Sequence, residues 1–103
     1  MKKLLSIAFV LLISTVMSFA EGDIRLGQNY PNPTKEITYI DVEFSSSEAT
    51  LVLSNILGET VQMHRLDHSG SFVINVTDIP EGVYFYTLEA DGQKVTKRLT
   101  VKR

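Results

Sequence analysis

The chain has 103 residues, 10 Lys and Arg against 12 Asp and Glu, and no cysteine. A formal net charge of −2 argues against non-specific binding to nucleic acid or to an anionic membrane, and the absence of cysteine excludes a disulfide-stapled fold. A chain this short can enclose one core, with little room for a deep catalytic cleft.

Met1-Lys2-Lys3 is a short cationic start, followed by an apolar run over 4–17 broken only by Ser6, Ser14 and Thr15. Ser18-Phe19-Ala20 then sets small residues at the two positions a signal peptidase reads. The run falls short of the roughly 20 apolar residues that a transmembrane helix needs. Residues 1–20 are therefore expected to be a cleavable signal peptide and 21–103 a single exported domain. Loss of Lys2 and Lys3 leaves eight cations against twelve carboxylates, a net charge of −4.

Beyond Ile24 the pattern has period two, the mark of strands with one dry face. Ile24-Arg25-Leu26 offers a short first strand. Thr38, Ile40, Val42 and Phe44 alternate with Ile37, Tyr39, Asp41 and Glu43, and Ser45-Ser46-Ser47-Glu48 ends the run as a turn. Ala49, Leu51 and Leu53 form the next alternation, closed by Asn55-Ile56-Leu57-Gly58, a tight reversal. Val61, Met63 and Arg65 alternate with Gln62, His64 and Leu66 before the turn cluster Asp67-His68-Ser69-Gly70. Phe72, Ile74 and Val76 share one face of a short strand, and Tyr84, Tyr86 and Leu88 one face of a longer one. Asp91-Gly92 is a hairpin dipeptide suited to a type I′ turn. Val95, Lys97, Leu99 and Val101 form the last strand. No segment after the leader carries apolar residues at helical spacing for three turns. Short strands with turns between them predict an all-β, antiparallel β-sandwich, with a barrel as the alternative.

Asn29-Tyr30-Pro31-Asn32-Pro33 is the most unusual local sequence. Two prolines one residue apart fix φ twice and exclude helix, so the segment is a rigid lead-in to the strand near Ile37. The favoured role is a clamp, with Tyr30 packed on the sandwich rim; a pre-ordered recognition surface is the functional alternative. Pro80 and Gly82 predict a turn that delivers Tyr84 inward as an aromatic core residue with a polar tip. The closing run Lys97-Arg98-Leu99-Thr100-Val101-Lys102-Arg103 is either a solvated edge strand guarded by charge or a strand offered for pairing with another sheet. His64 and His68 have no third ligand near them in sequence, so no metal is expected. Asp67, His68 and Ser69 are consecutive and cannot converge as a triad. No nucleotide fingerprint or nucleophile elbow occurs, so no cofactor, no small-molecule substrate and no catalysis are expected. Asn75-Val76-Thr77 fits the glycosylation sequon, a pattern common by chance.

Taken in order, four blocks resemble the type A C-terminal sorting domain of the type IX (Por) secretion system. Leu26-Gly27-Gln28-Asn29-Tyr30-Pro31-Asn32-Pro33-Thr34 is similar to its opening and Asn55-Ile56-Leu57-Gly58-Glu59-Thr60-Val61 to its central strand-turn-strand signature. Ile79-Pro80-Glu81-Gly82-Val83-Tyr84-Phe85-Tyr86 resembles its glycine-tyrosine block, and Lys97-Arg98-Leu99-Thr100-Val101 its basic, apolar end. The resemblance implies an immunoglobulin-like sandwich of about seven strands with no chemistry of its own. It implies recognition by an outer-membrane translocon, with removal by a sortase-like C-terminal signal peptidase in many members. The leader implies a signal peptidase as a further partner, passage through the periplasm and a final location at the cell surface or outside the cell. The residues expected to carry translocon recognition are Asn29, Tyr30, Pro31, Asn32, Pro33, Gly82, Tyr84, Lys97, Arg98, Leu99, Val101 and Lys102. About five residues separate Ala20 from Leu26, too few to fold alone, so the expectation is a sorting domain with no cargo domain ahead of it. A structural or adhesive Ig-like module, similar to the sandwich domain of flagellar hook-capping proteins, is the alternative.

Overall fold

The computed structural model describes residues 23–103; the signal peptide expected over 1–20 lies outside them. Among the described residues there are seven strands and no helix. They are β1 (Arg25–Leu26), β2 (Ile37–Glu43), β3 (Ala49–Ser54), β4 (Thr60–Leu66), β5 (Gly70–Asn75), β6 (Gly82–Ala90) and β7 (Gln93–Val101). All pair antiparallel, in a three-stranded sheet ordered β1-β2-β5 and a four-stranded sheet ordered β4-β3-β6-β7.

Period two in sequence becomes alternating burial. β2 buries Thr38, Ile40 and Val42, and β3 buries Ala49, Leu51 and Leu53. β6 buries Tyr84, Tyr86, Leu88 and Ala90, and β7 buries Leu99 and Val101. Side chains from both sheets meet in one core cluster, which makes the molecule a two-layer sandwich. Burial of each large apolar side chain contributes about 1.5–3 kcal/mol, and this replaces the missing disulfides. β4 breaks the rule. Its inward positions are Gln62, His64 and Leu66, while Val61 and Met63 face solvent. A bulge opposite Leu53 and Ser54 lets Thr60, rather than Val61, pair with Ser54.

The turns follow local chemistry. Asp91 (φ 55°) and Gly92 (φ 72°) both have positive φ, as the hairpin dipeptide requires, and Ala90 pairs with Gln93 across them. In the β3–β4 turn the Asn55 side-chain oxygen accepts from the backbone N–H of Leu57 and of Glu59, each at 3.0 Å, and Gly58 takes the left-handed position at φ 85°. The Asp91 carboxylate accepts from the Ser45 N–H at 2.9 Å, which ties two turns together and holds that carboxyl below the usual carboxylate range.

These connections fall at two poles. Ser54 faces Phe85 and Gly82 faces Val101, so β3 and β7 end where β6 begins. Val76 donates to the Glu36 carbonyl and Gln62 to the Asn75 carbonyl, bringing the start of β2 and the end of β5 to the same place. This first pole holds the lead-in, the 55–59 turn, the 76–81 loop and the end of β7. The other pole holds the turns at 44–48, 67–69 and 91–92.

Candidate recognition surface

Blocks separated by up to 70 positions converge at the first pole. The lead-in does not run straight into β2. It bends between Tyr30 and Thr34, with cis peptide bonds at Tyr30-Pro31 and Asn32-Pro33, and lies along the outer edge of β7. The Gln28 amide donates to the Arg98 carbonyl at 2.9 Å, and Thr100 donates to the Asn32 side chain at 3.1 Å. Thr34 donates to the Thr100 carbonyl and accepts from the Lys102 N–H, both at 2.9 Å. Thr34 itself is wholly buried, and its hydroxyl donates to the Ile37 carbonyl.

This modifies the expectation for the last strand. β7 is the edge of its sheet, but over 98–102 its outward backbone groups already have partners in the lead-in. That stretch does not present the open ladder that β-augmentation needs. Only the first half of β7, around Lys94 and Thr96, lies beyond the strap.

Asn29 and Tyr86 hold the strap. The Tyr86 hydroxyl accepts from the Asn29 N–H and donates to the Gly27 carbonyl, both at 2.8 Å. The Asn29 side-chain amide donates to the Thr38 hydroxyl at 3.0 Å and to the Pro31 carbonyl at 3.2 Å, and the Thr38 hydroxyl also donates to Pro31. Asn29 is 2% exposed and Tyr86 1%. Every polar atom in this pocket thus has a partner, which makes the pocket affordable in an apolar core. Burial raises the Tyr86 phenol above its ordinary value, and the Asn29 N–H partly opposes the rise. Tyr30 stacks on Tyr39 with ring centroids 5.6 Å apart, which is the clamp expected from the sequence.

The 76–81 loop closes the other side. The Tyr84 hydroxyl donates to the Pro80 carbonyl at 2.6 Å. Arg103 reaches into this loop: its guanidinium donates to the Val76 and Ile79 carbonyls, and its backbone N–H donates to the Glu81 carboxylate at 2.7 Å.

The expected recognition residues therefore divide. Asn29, Tyr84, Leu99 and Val101 are buried within the pole. Gly82 and Lys97 are half-buried, while Tyr30, Pro31, Asn32, Pro33, Arg98 and Lys102 are exposed. Sequence reasoning missed Gln28, Thr34, Tyr86 and Arg103 as pole residues. The Tyr86 hydroxyl and the Arg103 guanidinium find partners 59 and 24–27 positions away, and only local patterns are visible in a sequence. The two histidines lie apart, His64 hydrogen-bonded to Gln62 at 2.9 Å and His68 to Asp67 at 2.6 Å. The His68 contact holds the Asp67 carboxyl below its usual range.

The family model of the secretion system C-terminal sorting domain matches residues 28–102. No curated protein matches the chain. The matched domain is a sorting signal for type IX secretion, a non-enzymatic signal module, and proteins that carry it are exported to the cell surface or the extracellular space. With its matched span running from the strap through β7, this chain belongs to the family of type IX (Por) secretion system C-terminal sorting domains.

Proposed function

We propose that residues 21–103 act as a folded address, of type A and immunoglobulin-like, read at the first pole by the outer-membrane translocon of the type IX system. Residues 1–20 act as the leader for the inner membrane and are removed by a signal peptidase. A sortase-like C-terminal signal peptidase then acts on the domain after translocation. The observation that carries this reading is the family match over residues 28–102. Antiparallel alternation places Asn29-Tyr30-Pro31-Asn32-Pro33, the 55–59 turn, the 79–84 corner and the end of β7 at one end of the sandwich, so the four blocks that resemble the family are presented together there. Two features favour the immunoglobulin-like description. β4 pairs with β3 in the second sheet, giving a three-plus-four division. Tyr84, near the start of the sixth strand, bonds back to a carbonyl four residues upstream, which is the tyrosine corner of such sandwiches.

The test is a fusion of residues 21–103 behind a periplasmic reporter, expressed in a host with the type IX system. The described residues close their own core, so the segment folds as a unit. The reporter should reach the medium or the cell surface; retention in the periplasm refutes the reading.

A further inference from the structure

The outer face of the four-stranded sheet is apolar where it should be wet. β6 puts Val83 and Phe85 there, each 38% exposed, and β4 adds Val61 and Met63 at 38% and 59%. At the end of the same sheet the β3–β4 turn holds up Ile56 and Leu57, 71% and 79% exposed. The Asn55 side chain, bonded to two backbone N–H groups and to the Glu59 carboxylate at 3.0 Å, fixes that turn. Contiguous exposed apolar groups on a rigid frame mark an interaction surface.

Near the first pole the charge on this face is basic, whereas toward the other pole Arg65 shares a groove with Glu48, Asp67 and Glu89. Arg98 stands opposite Phe85 in the β6–β7 register, and Arg65 lies on the outer side of β4. Neither has an ion-pair partner among the described residues. Glu89 is neutralised by Lys94 at 2.9 Å, toward the other pole. The outer face of the three-stranded sheet also exposes Ile37, Tyr39 and Val73, but Tyr30 stacks on Tyr39, Arg25 pairs with Glu43 at 3.8 Å, and Asp41 adds an acid there.

We infer that the outer face of the four-stranded sheet, centred on Leu57, Phe85 and Arg98, is a docking surface for a component of the secretion machinery that presents an apolar ridge bordered by carboxylates. The inference rests on the sorting function proposed above and names the surface that would serve it. A second copy docked face to face would return the same unpaired arginines, so the charge favours a different protein.

The experiment uses the reporter fusion with Leu57→Asp, Arg98→Glu, Arg98→Lys and, on the opposite sheet, Val73→Asp. The exported fraction should fall on the order of tenfold for Leu57→Asp and Arg98→Glu, the loss expected of one interface anchor. Arg98→Lys and Val73→Asp should export normally. All three positions are exposed, and thermal midpoints of the four purified variants should match the wild type. If Leu57→Asp lowers its midpoint, the two Arg98 variants carry the test. Normal export of Arg98→Glu overturns the inference, as does an equal loss with Val73→Asp. Concentration-dependent assembly of the wild type that Arg98→Glu abolishes also overturns it, by assigning the face to a second copy. If the unmodified fusion stays in the periplasm, the sorting reading fails first and takes this surface with it.

Discussion

Replacing Tyr86 by Phe removes one oxygen and keeps the ring that fills the core. The hydroxyl accepts from the Asn29 N–H and donates to the Gly27 carbonyl, both at 2.8 Å, and water has little access to Tyr86 or Asn29. The substitution leaves a buried backbone donor and a backbone acceptor without partners. Each such group costs about 1–3 kcal/mol, and some relaxation puts the total near 2–4 kcal/mol. A small domain has about 5–15 kcal/mol in all. At about 4–8 °C per kcal/mol the midpoint should fall by about 8–32 °C. Tyr84→Phe is the internal comparison. It loses a single bond to the Pro80 carbonyl, on an exposed residue that water can reach, for about 0.5–1.5 kcal/mol. Thermal unfolding followed by circular dichroism measures both, and hydrogen exchange at the Asn29 amide should quicken in Tyr86→Phe. A Tyr86→Phe midpoint within about 3 °C of the wild type, or a larger loss for Tyr84→Phe, would refute the assignment of the strap's anchor to this hydroxyl.

Alkaline stability follows from the same group. The folded-state pKa of Tyr86 lies above its unfolded value near 10.0, so its contribution is full below that value and is lost as pH climbs through the folded pKa. Equilibrium unfolding across that window should show a decline that Tyr86→Phe reduces. Tyr84→Ala should cost about 3–5 kcal/mol by emptying a buried aromatic site, and urea unfolding measures it. Arg103→Ala gives up the contacts to the Val76 and Ile79 carbonyls and should cost about 1–2 kcal/mol, less than the strap anchor, by the same assay. His64→Ala and His68→Ala should leave export of the reporter fusion unchanged. Deletion of the final strand should abolish export, but it also removes the wholly buried Leu99 and Val101 and so unfolds the domain; exposed point variants isolate recognition from folding.

Much of the architecture was legible in sequence because it depends on local rules. Period two gave the strands, including the short one over 24–26, and Asp91-Gly92 gave its hairpin through the need for positive φ. Tyr30 was readable as a clamp and Tyr84 as a core residue. The exposed face was not readable. Val61 and Met63 alternate as core residues would, and nothing local says that the bulge and the edge position turn them toward water.

What the sequence determined alone is the class of object: alternating apolar residues without cysteine or helical spacing form a β-sandwich, and four ordered blocks name its family. What tertiary structure decided is which residues remain accessible. Asn29 went inside to serve Tyr86, and the lead-in went over the edge of β7. Both depend on partners tens of positions away, and such pairings arise only when the closing of the two sheets fixes which backbone groups would otherwise be stranded.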